Sequence, residues 1–237
     1  MNGRKKLKAV TFSYDDGVTQ DQRLIEIFNK YNLKATFNIN SGLLGKPGRL
    51  IREGVTVAHV KPEPSEINGI YAGHEIAAHT LTHPHLTTLS DEQIIEEVEK
   101  DRLALSELCG YEVVGMAYPG GGVNNDDRVA EVIKRHTGIR YARTTTSTHS
   151  FKAQENLYRF NPTVYHHAEF DCAFELAKKF IEMDATEPSV FYVWGHAYEF
   201  DIKNTWSKME EFCRLISGHD DIFYGTNSEV LLSDDWN

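Results

Sequence analysis

Short strand patterns alternate with helix patterns along almost the whole chain of 237 residues, and this alternation limits the possible folds more than any other feature. A β-branched and aromatic run at 10–14 is followed by a helix pattern with apolar residues from 24 to 28, and then by a second strand at 35–39. Parallel strands need a long crossover, which is usually a helix. We expect a distorted (β/α)7-type barrel of parallel strands, with an open doubly wound parallel sheet as the alternative.

The same alternation continues to the end of the chain. Ser90 begins a capped helix start of the form Ser-Asp-Glu-Gln, and Gly110 is placed to end that helix. Residues 41–73 hold much of the Gly and Pro and show no clear period, so we predict a loop-rich insertion with one hairpin around 49–52. A single domain over 1–237 is expected. Further strands are predicted at 74–79, 113–118, 139–143, 190–194 and 222–224, and helices at about 90–108, 126–136, 171–183 and 208–216.

Charge limits the classes of partner. Acidic residues number 35 against 25 basic ones, which gives a formal net charge of −10. Phosphate backbones and anionic bilayers are bound through an excess of Lys and Arg. We therefore expect no nucleic-acid partner and no membrane partner, and the sequence carries no signal for a particular oligomeric state.

The N-terminal residues and the cysteines bear on the cellular compartment of the protein. The apolar run at 9–12 is too short for a signal-peptide core, and no stretch approaches the roughly 20 apolar residues of a membrane span. We expect a cytoplasmic protein for the chain as given, which leaves open whether a leader was removed from it. Cys109, Cys172 and Cys213 lie far apart, so we predict core or partly buried thiols.

Polar clusters follow four of the predicted strands. They are Asp15-Asp16 and residues 79–85, 119–122 and 196–201. The carboxyl ends of parallel strands meet at one edge or face, where loops vary without disturbing the core. We therefore expect these clusters to form a single site.

His79 and His83 are spaced so that both imidazoles can share a metal ion with one carboxylate, for which Asp16 is the candidate. Zinc is the first choice for such a set, with cobalt, nickel or manganese as alternatives. An isolated His-x-x-x-His is about as often a pair of hydrogen-bonding histidines. His74 and His85 add two more imidazoles to the region.

Asp15 and Asp16 leave one strand in opposite directions, so one can bind a metal while the other addresses a water molecule. Taken alone, Asp-Asp-Gly is more often a solvated turn. His196 follows a strongly apolar strand and is a candidate proton donor, although a lone histidine there is more often structural.

Together, TFSYDDG at 11–17, HTLTHPHL at 79–86, YPG at 118–120 and WGH at 194–196 resemble four of the five ordered motifs of the polysaccharide deacetylase family, also called the NodB-homology domain or carbohydrate esterase family 4. The resemblance spans residues 8 to about 200. It implies a metal-dependent hydrolase that removes N- or O-linked acetyl groups from an acetylated saccharide.

Residue roles follow from the resemblance by position. It implies that Asp15 is the general base, that Asp16, His79 and His83 bind the metal, and that His196 is the general acid. The metal would activate water and polarise the acetyl carbonyl. The backbone N–H of Gly120 would hold the oxyanion. Tyr118 belongs to the same motif, and Tyr14 and Trp194 are candidate walls of the acetyl pocket, although large aromatics there are at least as often core residues.

Two departures separate this chain from the family pattern. Ala117 stands where the third motif usually has an Arg that pairs with the base, so Arg143 or Arg159 would have to supply that charge. The segment at 165–171 occupies the place of the fourth motif but lacks its Trp. Glu199 or Asp201 could orient His196 instead, or simply begin a helix.

Two other functions remain open at this stage. One is a cyclic-amide C–N hydrolase on the same fold, some of which lack the metal-binding histidines; Asp16, His79 and His83 argue against it. The other is a non-catalytic carbohydrate-binding protein that keeps a metal for structure. The missing motif-three Arg favours this second alternative, while the presence of both a base and an acid candidate disfavours it.

Overall fold

The computed structural model describes residues 6–233 and 236, so the expected domain limits at 1 and 237 lie outside the described residues. The strands are β1 (Lys8–Asp15), β2 (Thr36–Ile39), β3 (Arg49–Arg52), β4 (Val55–Ala58), β5 (Glu75–Ala78), β6 (Gly115–Ala117), β7 (Tyr141–Arg143), β8 (Val164–Tyr165), β9 (Ser189–Gly195) and β10 (Ile222–Tyr224). The helices are α1 (Asp21–Lys30), α2 (Ile67–Ile70), α3 (Asp91–Cys109), α4 (Asp127–His136), α5 (His166–Glu182), α6 (Glu199–Lys203), α7 (Trp206–Ile216) and α8 (Asn227–Leu231).

One parallel sheet organises the molecule. Its strands run in the order β7-β6-β5-β2-β1-β9-β8. The edge of β1 that faces away from β9 is shared, because β10 pairs with its first half and β2 with its second half. The sheet curls so far that Arg143 in one edge strand forms an isolated bridge with Phe160, four residues before the other edge strand begins. The fold is thus an α/β half-barrel, which confirms the barrel-type prediction over the open doubly wound sheet.

The centre of the sheet is buried on both faces. Every residue of β1 and of β9 is buried. Strand β9 is apolar over almost its whole length, as expected of a parallel strand buried on both faces, whereas β1 alternates apolar residues with the buried polar side chains of Thr11 and Ser13. This rigid centre carries the acidic pair at the end of one strand and the WGH motif at the end of the other.

Most helix boundaries follow their capping signals. Ser90 accepts a hydrogen bond from the backbone N–H of Gln93 in a capping box, and Gly110 ends α3 with φ +77°. The helix predicted from about residue 171 matches the regular part of α5, which the non-helical φ of −132° at Glu169 separates from a short turn at 166–168 that was not predicted. Strand β8 was not predicted because two residues carry no periodicity.

Residues 41–73 lie between β2 and β5 and contain the hairpin β3–β4. Arg49 pairs with Ala58 and Arg52 with Val55. Because side chains alternate along a strand, Leu50 and Arg52 share the face turned toward the protein, and Ile51 on the other face is 75% exposed. Among the described residues, no helix combines the length and apolar character that a bilayer crossing requires.

Candidate active site

A cavity of about 650 Å³ opens at the carboxyl ends of the strands. Asp15, Asp16, His79, His83 and His196, which are far apart in the sequence, all line it. The insertion supplies much of the remaining wall, through Leu43, Leu50, Arg52, His59 and Lys61. The structure therefore brings the polar clusters together on one face and adds side chains from 41–73 that had no recognisable signal in the sequence.

Asp16, His79 and His83 each direct one possible ligand atom to a common point, and these atoms lie within 4.8 Å of one another. The Oδ1 atom of Asp16 is 3.4 Å from His83 Nε2 and 3.7 Å from His79 Nε2. One carboxylate and two imidazoles are a common donor set for a catalytic divalent cation with open positions.

The two imidazoles are prepared to act as neutral ligands. His79 Nδ1 lies 2.9 Å from the carbonyl oxygen of Ala117, to which it can donate, and this leaves Nε2 free of its proton. Burial lowers the pKa of His79 to about 4 and also lowers the pKa of His83. A cation then does not have to displace a proton at neutral pH, so the residues present fit a divalent metal. His74 lies elsewhere, where its Nδ1 accepts from the backbone N–H of Ala35.

Asp16 is ionised in this setting. Burial alone would raise its pKa, but a hydrogen bond from His59 and the nearby charges of His196 and Lys61 hold the pKa well below its ordinary range. The His59 Nε2 atom is 3.1 Å from Asp16 Oδ2, and the ammonium of Lys61 donates to the Asp16 carbonyl oxygen. Both residues follow the hairpin, and sequence patterns alone did not identify them.

Asp15 is held by a buried arginine. Arg143 Nη2 lies 2.6 Å from Asp15 Oδ1 and also contacts Oδ2, and the side chains are 0% and 2% exposed. Asn38 Nδ2 donates to Oδ1 at 2.8 Å. Of the two candidates for the missing motif-three charge, Arg143 is therefore the one in place. Arg159 instead bonds Asn125 and Asp127 on the surface.

Arg143 reaches Asp15 from the strand next to the expected one. Ala117 in β6 and Arg143 in β7 are directly paired in register. The guanidinium also lies over the ring of Trp194, 4.4 Å from its centroid, and that ring stacks on Tyr165 at 4.3 Å. Trp194 and Tyr165 both line the cavity.

His196 is oriented by a carboxylate three residues along the chain. Its Nδ1 lies 3.0 Å from Glu199 Oε1, and its backbone N–H donates to Glu199 Oε2 at 2.9 Å. Burial would lower the pKa of His196, but Glu199, with smaller contributions from Asp16 and Asp15, raises it to about 9. The imidazolium is thus the stable form at neutral pH. Asp201, the other candidate partner, accepts from Trp206 and Gln20 instead.

Glu199 is the centre of a buried network. Its Oε1 accepts from Arg52 Nη1 at 2.6 Å and from the hydroxyl of Tyr165, and its Oε2 lies 3.2 Å from His166 Nε2. Burial would raise the pKa of this carboxyl, but His196 and His166 lower it well below its usual range. The segment at 165–171 lacks the expected Trp. It contributes Tyr165 and His166, which contact Glu199, and Glu199 in turn holds His196.

The remaining predicted residues divide between cavity and core. Tyr118 and Gly120 line the cavity, and Tyr118 donates to the carbonyl of Tyr158 at 2.8 Å. Gly120 has φ +78°, and a side chain there would meet the ring of His85 at 2.7 Å. Tyr14 is not a wall of the cavity. It is fully buried, with its ring beside Phe28, Phe37, His166 and Phe200, because it precedes Asp15 and so points to the opposite face of β1.

The family described as polysaccharide deacetylase matches residues 2–142, more than half of the chain. The chain belongs to the polysaccharide deacetylase family. This match contains Asp15, Asp16, His79, His83 and Gly120 but ends before Arg143 and His196. Of the two departures from the family pattern, Ala117 lies inside the matched segment and the segment at 165–171 lies beyond it.

Curated relatives are similar to about half of the chain. The peptidoglycan-N-acetylglucosamine deacetylase PgdA of Listeria monocytogenes is 27% identical over 132 residues, which are 54% of this chain and 24% of that protein. Chitin deacetylase 1 of Cryptococcus neoformans is 30% identical over 122 residues, 51% of this chain and 22% of the relative. The chain therefore spans about a quarter of the length of these relatives.

Solved structures share the fold over nearly the whole chain. The Xyl-CE4 domain of a multidomain xylanase from the hindgut metagenome of Trinervitermes trinervoides has a TM-score of 0.59 at 16% identity, covering 97% of this chain and 91% of that one. The family 4 carbohydrate esterase of Streptomyces lividans has a TM-score of 0.55 at 14% identity, covering 93% and 92%. A CE4 family pseudoenzyme from Bacillus anthracis also matches, with a TM-score of 0.55 at 16% identity over 96% of this chain and 66% of that one, so the fold alone does not establish activity.

Proposed function

We propose that this protein is a metal-dependent hydrolase that removes acetyl groups from a saccharide. The observation that carries the proposal is the meeting, in one cavity, of the Arg143-held carboxylate of Asp15, the Asp16–His79–His83 cluster and the Glu199-held imidazole of His196. Relatives named for peptidoglycan N-acetylglucosamine and for chitin make N-acetylated amino sugars the first substrates to test.

Asp16, His79 and His83 would hold the cation, with zinc first and cobalt, nickel or manganese as alternatives. When bound, a divalent cation supplies Lewis-acid polarisation of the acetyl carbonyl and makes water a stronger nucleophile near neutral pH. Asp15 would act as the general base that takes the proton from the attacking water. Its bonds to Arg143 and Asn38 fix the direction of the carboxylate.

His196 would act as the general acid for the departing amine or alcohol. Its pKa of about 9 means that the ring enters the reaction already protonated. Glu199 holds Nδ1, which leaves Nε2 as the atom that delivers the proton. Arg143 therefore fixes the direction of the base, and Glu199 keeps the acid protonated.

The walls of the cavity suit an acetyl group. The backbone N–H of Gly120 would donate to the developing oxyanion, and the left-handed backbone at that residue brings the main chain to the cavity surface. Tyr118 and Trp194 would supply apolar surface to the methyl group.

The test is acetate release by the purified protein, after its metal content has been measured, from N-acetylated and O-acetylated oligosaccharides and from an aryl acetate. Wild type and an Asp15→Asn variant are compared with and without chelation. We expect turnover that requires both the metal and Asp15. Saccharide binding without turnover in the metal-loaded wild type would instead support a non-catalytic binding protein, and ring opening of a cyclic amide would support the alternative C–N hydrolase.

A further inference from the structure

We infer that His59 and Lys61, both from the insertion, are positioning residues that hold Asp16 in the orientation a metal ligand needs. This inference rests on the proposed function, because it assigns a purpose to contacts around the proposed metal cluster. Neither residue belongs to any of the sequence motifs described above, and both lie more than 40 positions from Asp16 in the chain.

The turn that carries Asp16 has an unfavourable backbone. Asp16 has φ +80° and is followed by Gly17 at φ +56°. Left-handed conformations are rare for residues with a side chain, and they persist where surrounding contacts determine them. The local sequence supplies only part of that determination, since Gly17 tolerates the conformation but does not impose it on Asp16.

His59 fixes the side chain of Asp16. Its Nε2 is 3.1 Å from Asp16 Oδ2, while Asp16 Oδ1 faces His83 at 3.4 Å and His79 at 3.7 Å. The two carboxylate oxygens therefore have separate tasks, with one anchored and the other directed to the cluster. Residues that hydrogen-bond to a metal ligand in this way commonly control its orientation and the metal affinity.

Lys61 fixes the main chain of the same residue. Its ammonium, in a residue only 5% exposed, donates to the carbonyl oxygen of Asp16. Between the two, Val60 accepts at its carbonyl from the backbone N–H of Thr19, at 2.9 Å. Three consecutive residues of one extended segment thus contact the side chain, the main chain and the following turn of the acidic motif.

This segment is itself anchored. The backbone N–H of His59 donates to Gly48 at 2.9 Å, and that of Lys61 donates to Lys46 at 3.0 Å. The His59 ring also packs edge-on against Tyr198, with the ring centroids 5.2 Å apart. A rigid segment that contacts a strained residue from outside its own strand is suited to select one conformation of that residue.

The experiment is calorimetric titration of the metal-free full chain with Zn²⁺, comparing wild type with His59→Leu, His59→Gln and Lys61→Met. Matched controls are His136→Gln and Lys179→Met, which change exposed residues of the same two types away from the insertion. We expect binding weakened by about 10- to 100-fold in His59→Leu and in Lys61→Met. The amide N–H of Gln can replace the imidazole donor, so His59→Gln should recover much of the affinity, and both controls should bind as wild type does.

The visible absorption of bound Co²⁺ gives a second readout, because its d–d bands report the geometry of the ligands. A changed spectrum in His59→Leu and Lys61→Met, with a near wild-type spectrum in His59→Gln, supports the positioning role even if the variants lose stability. Unchanged affinity and spectrum in both His59→Leu and Lys61→Met would overturn it, and so would a His59→Gln variant as impaired as His59→Leu. A wild type that binds neither metal would instead defeat the proposed function itself.

Discussion

Arg143 on β7 forms a buried ion pair with Asp15 at the end of β1, although the neighbouring position on β6 is the one expected to supply the charge. The guanidinium and the carboxylate are both removed from water, and Asn38 donates a further hydrogen bond to the same carboxylate. A buried pair of this kind is costly to break, because removal of one partner leaves an uncompensated charge in a medium of low dielectric constant.

Replacement of Arg143 should therefore affect both stability and turnover. We expect Arg143→Ala to lower the free energy of unfolding by about 3–5 kcal/mol and to abolish most acetate release. Because Ala117 is paired with Arg143 in register, the double variant Ala117→Arg/Arg143→Ala should be more active than Arg143→Ala alone. Urea denaturation and acetate release measure the two effects. Arg159→Ala is the control and should match wild type, and a double variant no better than the single one would contradict the register argument.

Turnover should fall at high pH through the loss of the His196 proton. Glu199 outweighs the effect of burial and, with Asp16 and Asp15, raises the pKa of His196 to about 9, so a proton donor is present below that pH and lost above it. In Glu199→Gln the main cause of the rise is gone, and the basic limb of the kcat profile should move to lower pH. Asp201→Asn, which alters a carboxylate bonded to Trp206 instead, should leave the limb in place. A limb that stays at the same pH in Glu199→Gln would exclude His196 as the titrating acid.

Because His166 packs closely against Gly195, any side chain at that position should lower both stability and activity. A Cβ atom at Gly195 would lie 1.8 Å from the His166 ring, so Gly195→Ala must displace a buried side chain that contacts Glu199. We expect a loss of stability of about 1–3 kcal/mol together with reduced kcat, measured by thermal unfolding and acetate release. Gly69→Ala in α2 is the matched control, because nothing lies within 4 Å of the added atom and stability should hold or rise slightly. Equal stability of the two variants would contradict the packing described here.

Metal binding should stabilise the folded protein by an amount that rises with the logarithm of the free metal concentration once this exceeds the dissociation constant. A ligand that binds only the native state at 100 times its dissociation constant adds about 2.7 kcal/mol, so Zn²⁺ should raise the Tm and a chelator should lower it. The shift should disappear in His79→Ala and His83→Ala, which remove two of the three ligand candidates, and should persist in His149→Ala, which changes an exposed histidine. Differential scanning calorimetry with and without Zn²⁺ makes the comparison. A shift that survives in His79→Ala would place the metal elsewhere.

The order of elements was predictable because its signals are local. Apolar periodicity identified the long helices and strands, and the Ser90 capping box with Gly110 marked the limits of α3. Weak local signals led to errors. Strand β8 has only two residues, and the short helical turn at 166–168, which Glu169 separates from the rest of α5, was missed as well.

The candidate site was predictable only in part. The motifs carried Asp15, Asp16, His79, His83 and His196, and the parallel architecture placed them at one end of the strands. Tyr14 shows the limit of this approach, since membership of a motif does not tell which face of the strand a side chain occupies. His59 lies in a segment without periodicity, so nothing in its neighbourhood pointed to Asp16.

The amino-acid sequence by itself determined the class of fold, the positions of the strand ends and the chemical types available there, because these depend on residues close together in the chain. The tertiary structure alone decided that Arg143 pairs with Asp15 and that the insertion contacts Asp16. It also decided that Glu199 contacts His196, His166 and Arg52 at once. Apart from the local contact of His196 with Glu199, each of these contacts joins groups that lie far apart in the sequence. Their pairing depends on strand register and the curl of the sheet, which no local pattern encodes.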